Sequence, residues 1–155
     1  MDNNNMRIWR QVETSDPASL KKVSIGRTFT AIDPQHQIMK ATEVFGPVGE
    51  GWGWHATTEV HHTHDGRMFV IANVTVWHGD RSNEFGPFPG CRGNLYAPDK
   101  HGKWRANDDA PKMAVTDGLT KALSHLGFNA DVFLGKHDGN KYSDSAPGAA
   151  SKEDF

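Results

Sequence analysis

The chain reads as an α+β domain. Three patterns carry that reading: a helical stripe between Asp108 and Gly127, an alternating hairpin between Trp52 and His78, and a capped helix start at Asp33-Pro34. At 155 residues it suits one domain with a real core. The expected order is helix, three antiparallel strands, helix.

Residues 1–20 are polar and predict a flexible lead-in, with Ile8-Trp9 as a docking point. Asp33 caps a short helix that Pro34 opens and Gly46-Pro47 stops, with Ile38, Ala41, Thr42 and Phe45 on its inner face. Runs at Trp52–Thr63 and Arg67–His78 follow, joined through Asp65-Gly66, a dipeptide favoured in tight primed turns. Met68, Val70, Ala72, Val74 and Val76 alternate onto one face, which should pack beneath the long helix. Phe69, Ile71, Asn73, Thr75 and Trp77 give the other face a mixed character. A third strand is expected within Glu84–Leu95, interrupted by Gly86-Pro87 and Pro89-Gly90, then an exposed charged loop over Ala97–Asn107.

The long helix has Asp108 and Asp109 at its start, Pro111 in its first turn and Gly127 at its stop. Val115, Leu119, Ala122 and Leu126 predict its buried stripe. Gly118 lies beside them. A mid-helix glycine costs about 1 kcal/mol against alanine, so a second backbone is expected to pack closely there. Residues 143–155 are rich in Ser, Ala, Gly and Asp and predict a disordered tail.

The helix wording, Ala-Val-Thr-Asp-Gly-Leu-Thr-Lys-Ala-Leu-Ser-His-Leu-Gly at Ala114–Gly127, resembles the signature helix of phage Sak-type single-strand DNA annealing proteins. Those share their fold with the recombination mediator Rad-fifty-two. Phe29–Pro34 leading to Phe45–Trp54, and Ala130–Gly135 with Lys141-Tyr142, extend the resemblance across most of residues 21–142. The resemblance implies an antiparallel β-β-β-α core and a single-strand annealing domain over 21–142. It also implies a homo-oligomeric ring or arc that holds single-stranded DNA and pairs complementary strands without ATP or a cofactor. A single-strand binding protein or a nuclease would be a further partner in phage-type recombination.

Composition sets limits on this. The formal charge is −2, without the basic excess usual for a nucleic-acid binder. Residues 21–142 hold 14 Lys and Arg against 13 Asp and Glu, so that region stands at +1. A near-neutral protomer can still bind phosphates where its cations cluster. No apolar run approaches 18 residues, and Met-Asp-Asn-Asn-Asn lacks a basic-then-apolar signal, so a cytoplasmic protein without a membrane partner is expected. In a phage-encoded protein that is the bacterial host cytoplasm. One cysteine, Cys91, excludes an intrachain disulfide and fits a reducing compartment, as a loop or strand-end thiol.

Candidate DNA-binding residues follow from two needs: exposed cations for phosphates and exposed rings for bases. Lys100, Lys103, Trp104 and Arg105 place both in one loop, whose alternative reading is a solvated loop with a tryptophan capping the core. Arg67, past the hairpin turn, is either a phosphate contact or a solvated turn cation. The resemblance adds Lys112 and Lys121, at helix positions where the family uses basic residues. Their plainer readings are a solvated first-turn lysine and an Asp117–Lys121 surface pair worth about 0.3–0.5 kcal/mol. Thr120 and Ser124 replace basic residues of the eukaryotic pattern, and His36 stands where that pattern has an arginine, so the groove should be less cationic.

Trp52 and Trp54 are core or subunit anchors, or stacking surfaces. Phe128, Val132, Phe133 and Leu134 belong to the core or to a subunit contact. His61, His62 and His64 are hairpin-tip histidines; with His55 they form the competing reading of a small metal-dependent enzyme. Two same-face histidines supply at most half of a tetrahedral shell, and neither a cysteine pair nor an HExxH pattern completes it. No phosphate-binding P-loop and no serine triad can be assembled. A passive single-strand coating protein is the remaining alternative.

Overall fold

The computed structural model describes residues 4–25 and 27–135, so the 143–155 tail and Lys141-Tyr142 lie outside the described residues. The protein is α+β: among the described residues there are four short or medium α-helices, a two-stranded sheet and a five-stranded antiparallel sheet. Its internal contacts group residues 1–40 and 124–155 into one unit and Ala41–Leu123 into another. None of the described helices is long and apolar enough to cross a membrane.

In the first unit, helix α1 (Arg7–Val12) occupies what polarity had marked as a lead-in. The correction has a simple cause. Ile8 and Trp9 are half-buried and Val12 is buried at 2% exposure, an i, i+1, i+4 stripe hidden among polar neighbours. The Trp9 ring lies against Gly127, where an added Cβ would come within 2.6 Å of it. Strands β1 (Leu20–Ile25) and β2 (Arg27–Ile32) pair antiparallel from Leu20↔Ile32 to Ile25↔Arg27, a hairpin that the sequence reading missed. A polar network ties distant segments together. The Ser15 hydroxyl donates to Asp131 at 2.6 Å, Asn129 donates to Ser15 at 2.7 Å, and Gln37 donates to Asn129 at 2.9 Å. Asn129 and Gln37 are buried, so each of these bonds also prevents an unsatisfied polar group.

Helix α2 (Pro34–Phe45) begins as expected, with the Asp33 carboxylate accepting from the Gln35 amide at 2.9 Å. Its inner face is rotated from the expected one. Gln37 and Ala41 are buried, Ile38 and Phe45 are half-buried, and Thr42 is exposed.

In the second unit, β3 (Trp52–His62) and β4 (Met68–His78) pair over eleven residues from Trp52↔His78 to His62↔Met68. The connecting turn is not the primed type. Gly66 alone has positive φ there (+94°), and its amide donates to Thr63 at 3.1 Å, so a turn over Thr63–Gly66 ends on a left-handed glycine. Strand β5 (Asp80–Gly90) runs antiparallel along the other edge of β4. Val74 faces Phe88 while Val76 faces Phe85, a bulge that absorbs the cis Gly86–Pro87 step without ending the strand. The supposed loop over Ala97–Asn107 contains a further small hairpin, β6 (Tyr96–Pro98) with β7 (Trp104–Ala106), and Tyr96 joins Met68 of β4.

Helix α3 (Ala110–Ser124) covers the face of β4 that alternation predicted: Val70, Ala72, Val74 and Val76 are all at or below 2% exposure. The expected backbone approach at Gly118 is present. A Cβ built on Gly118 would lie 2.6 Å from the Val74 side chain, and one on Gly90 would lie 2.2 Å from the Gly118 nitrogen and 2.1 Å from the Ala114 oxygen. The buried stripe is therefore Ala110, Ala114, Gly118 and Ala122, flanked by Leu119 and Leu123, while Val115 and Leu126 are only half-buried. Small residues at i, i+4 let strand and helix backbones meet, which moved the stripe from the bulkier residues expected. Just ahead of the helix the Asn107 side chain accepts from the Asp109 amide at 3.0 Å, and the Asp109 carbonyl accepts the first helical bond from Met113. Gly127 (φ +105°) closes the last turn through its amide to Ser124. Helix α4 (Ala130–Phe133) follows, with Phe128 and Val132 buried and Leu134 63% exposed.

Candidate nucleic-acid interface

The antiparallel Met68↔Tyr96 pairing sends β6 past the start of β4, so the β6–β7 hairpin lies beside the Thr63–Arg67 turn. Two segments some thirty residues apart in sequence meet there. A methyl group at Gly66 would touch the Trp104 indole at 3.7 Å. Trp104 also faces Tyr96 across the ribbon, ring centroids 5.2 Å apart and planes tilted by 34°. Both rings remain more than a third exposed, Tyr96 at 39% and Trp104 at 37%. Rings of that exposure offer faces to a planar ligand.

The cations are held individually. Arg105 Nε donates to Asp99 Oδ2 at 2.9 Å, and the second oxygen of Asp99 accepts from the His101 and Lys103 amides at 2.8 and 3.0 Å. The Arg105 guanidinium first, then those two amides, hold the Asp99 carboxyl below its ordinary range. Arg67 Nε stands 3.1 Å from Asp65 Oδ2. The Thr63 hydroxyl, followed by the Arg67 amide, lowers the Asp65 pKa. These pairs are exposed, so they orient the guanidinium groups without consuming them. Arg67, Lys100, Lys103 and Arg105 against Asp65 and Asp99 leave the hairpin ends with a positive balance. Alternation sets Tyr96 and Trp104 on one face of the β6–β7 ribbon and Arg105, opposite Ala97, on the other. A ribbon two strands wide measures only about 5 Å, so a chain crossing its end can meet both faces.

The remaining predicted residues lie on helices α2 and α3. Lys112 pairs with Asp109 at 2.9 Å, which raises its pKa. It lines an open pocket of about 340 Å³ with Arg92, Asp109, Met113 and Thr116. Lys121 is exposed on the last turn of α3. Nine residues separate it from Lys112, so at 100° per residue the two point to opposite sides of the helix. Asp117, its supposed partner, accepts from the Cys91 amide at 3.1 Å. His36 is half-buried, 4.0 Å from Asp33 and far in sequence from the hairpins.

Trp52 is fully buried whereas Trp54 is 39% exposed, so only the first is a core anchor. The histidines are spread out: His61 stacks on Phe69 at 5.4 Å and lies 3.1 Å from Glu59, and His55 lies 3.9 Å from Glu84. Among the described residues, no three His, Cys, Asp or Glu converge as metal ligands. Tyr96 is the site residue that sequence reasoning missed. Its only signal was an aromatic eight positions before Trp104, meaningful once the two are known to be diagonal neighbours on one face of a ribbon. Comparison with known proteins found no matching family model and no matching curated relative.

Proposed function

We propose that the protein binds single-stranded DNA and anneals complementary strands without ATP, in the manner of the phage Sak-type proteins that its α3 wording resembles. The observation that carries this reading is the exposed Tyr96–Trp104 ring pair beside Arg67, Lys103 and Arg105. Stacking is sequence-tolerant because every base has a π-face, and phosphate neutralisation lowers repulsion between two strands. Base pairing itself then supplies the driving free energy. The β3-β4-β5 meander, followed after the inserted β6–β7 hairpin by α3, is compatible with a β-β-β-α core of the kind that family has, and the chain would act as a homo-oligomer.

The test is annealing of complementary labelled oligonucleotides, with EDTA present and nucleotide absent, followed by fluorescence. The expected result is faster pairing than in protein-free buffer. Binding without acceleration would reject annealing and leave a passive coating protein. No binding would reject both.

A further inference from the structure

Strand β3 is the outermost strand of its sheet, and among the described residues no strand pairs with its outer edge from Gly53 to His62. Such an edge is a template for another strand, and proteins usually blunt it with lysine, proline or a bulge. Trp52–His62 carries none of these. The hydrogen bonds show which groups are free. The Thr63 amide donates inward to Arg67, and the Trp52 oxygen turns outward to accept from Gly49. Alternation then directs the N–H and C=O groups of Trp54, Ala56, Thr58 and Val60 outward.

The same residues carry an uncovered apolar face. Val76, opposite Trp54, and Val70, opposite Val60, are at 1% and 2% exposure, while Trp54 and Val60 themselves are 39% and 48% exposed. What covers them is written in the order of the strand. Trp54, His55, Ala56, Thr57, Thr58, Glu59 and Val60 are self-complementary about Thr57. We propose that two copies of this chain pair antiparallel through β3 on a two-fold axis at Thr57.

In that register Trp54 of one copy meets Val60 of the other on the α3 face, and His55 meets Glu59 on the opposite face. Ala56 meets Thr58, and Thr57 meets its own counterpart. The residues that pair by backbone are the ones whose amides point outward, giving about eight cross-edge hydrogen bonds. Thr57 occupies a non-hydrogen-bonded position, where facing Cα atoms approach to about 4.5 Å. The contact is isologous and closes at two copies, unlike the head-to-tail contacts that build rings. It does not depend on the DNA-binding proposal.

The experiment is thiol trapping combined with light scattering across a concentration series. A Cα separation of about 4.5 Å lies within disulfide range, so Thr57→Cys in a Cys91→Ala background should oxidise to a covalent dimer. The exposed control Asn94→Cys, in the same background, should link far more slowly. Thr58→Pro removes only outward amides, two across the axis, and should weaken self-association by roughly tenfold or more while the monomer still melts cooperatively. Equal cross-linking of both thiols overturns the proposal, as does a parent protein that stays monomeric at every concentration. A folded Thr58→Pro variant that self-associates like the parent also overturns it. If Thr58→Pro fails to fold, the trapping comparison decides alone.

Discussion

At Gly118 the sheet meets α3 with almost nothing between two backbones, whereas at Trp104 two hairpins meet through large rings left open to solvent. The first contact leaves no room for a methyl group. The second leaves room for a ligand. Close packing makes the interior intolerant of added volume, while an exposed ring contributes little to stability and much to whatever stacks on it. Stability and binding should therefore separate along this line, and substitutions at the two places can break or sharpen the distinction.

The largest effect is expected at Gly90. Its added Cβ would meet the backbone of α3 at 2.1 and 2.2 Å, where no flexible side chain can yield. Gly90→Ala should destabilise the fold by roughly 3 kcal/mol or more, read from denaturant unfolding. Gly118→Ala should cost less, about 1–2 kcal/mol. It meets the Val74 side chain, with backbone atoms no nearer than 3.3 Å, and recovers about 1 kcal/mol of helix propensity. A Gly90→Ala protein that unfolds like the parent would remove the backbone contact from the argument.

At the other place the order reverses. Trp104→Ala should weaken oligonucleotide binding by about 1–3 kcal/mol and leave unfolding nearly unchanged, with Tyr96→Ala acting in the same direction. Loss of stability without loss of affinity would mark Trp104 as a cap on the hairpins instead of a stacking surface.

Lys121 supplies a finer test, because it lies on the last turn of α3 and not on the β6–β7 hairpin. Lys121→Glu should reduce affinity for every base sequence, and each lost phosphate contact should lower the salt slope by roughly 0.7. Lys152→Glu serves as a charge-matched control. Equal loss in both variants would assign the effect to net charge. Loss confined to Lys121 would extend the DNA path onto α3.

The smallest effect concerns acid. The folded Asp99 carboxyl lies below the ordinary carboxylate range, held there first by Arg105 and then by the His101 and Lys103 amides. A depressed carboxyl contributes stability that is present above the unfolded pKa and lost as pH falls through the folded one. The β6–β7 turn should therefore keep its geometry at neutral pH and loosen only below the ordinary carboxylate range. Amide shifts of His101 and Lys103 in an NMR titration would report this. A transition near pH 6 would contradict the Asp99 assignment.

Particular residues show how much was legible beforehand. Alternation from Met68 to Val76 placed β4 and its buried face, because a period of two cannot be mistaken over five apolar positions. Asp33-Pro34 placed the start of α2 because capping is local chemistry. Gly118 announced a close approach but not its partner, since Gly90 lies 28 positions away and nothing local links them. The α1 stripe was masked by polar neighbours. The β6–β7 hairpin was missed because three-residue strands are too short to display a period.

The same division holds for the candidate site. Sequence alone determined that Lys100, Lys103, Trp104 and Arg105 fall in one segment, and that Arg67 follows a turn. It also determined the self-complementary order of β3 about Thr57, a property of residue order that no folding can alter. Only the tertiary structure decided that the Thr63–Arg67 turn and the β6–β7 ribbon lie side by side, that Tyr96 faces Trp104, and that β3 is left as an edge. Those are outcomes of strand register and helix coverage. They depend on long-range packing, in which α3 covers β4 through small residues and leaves Trp54 and Val60 exposed.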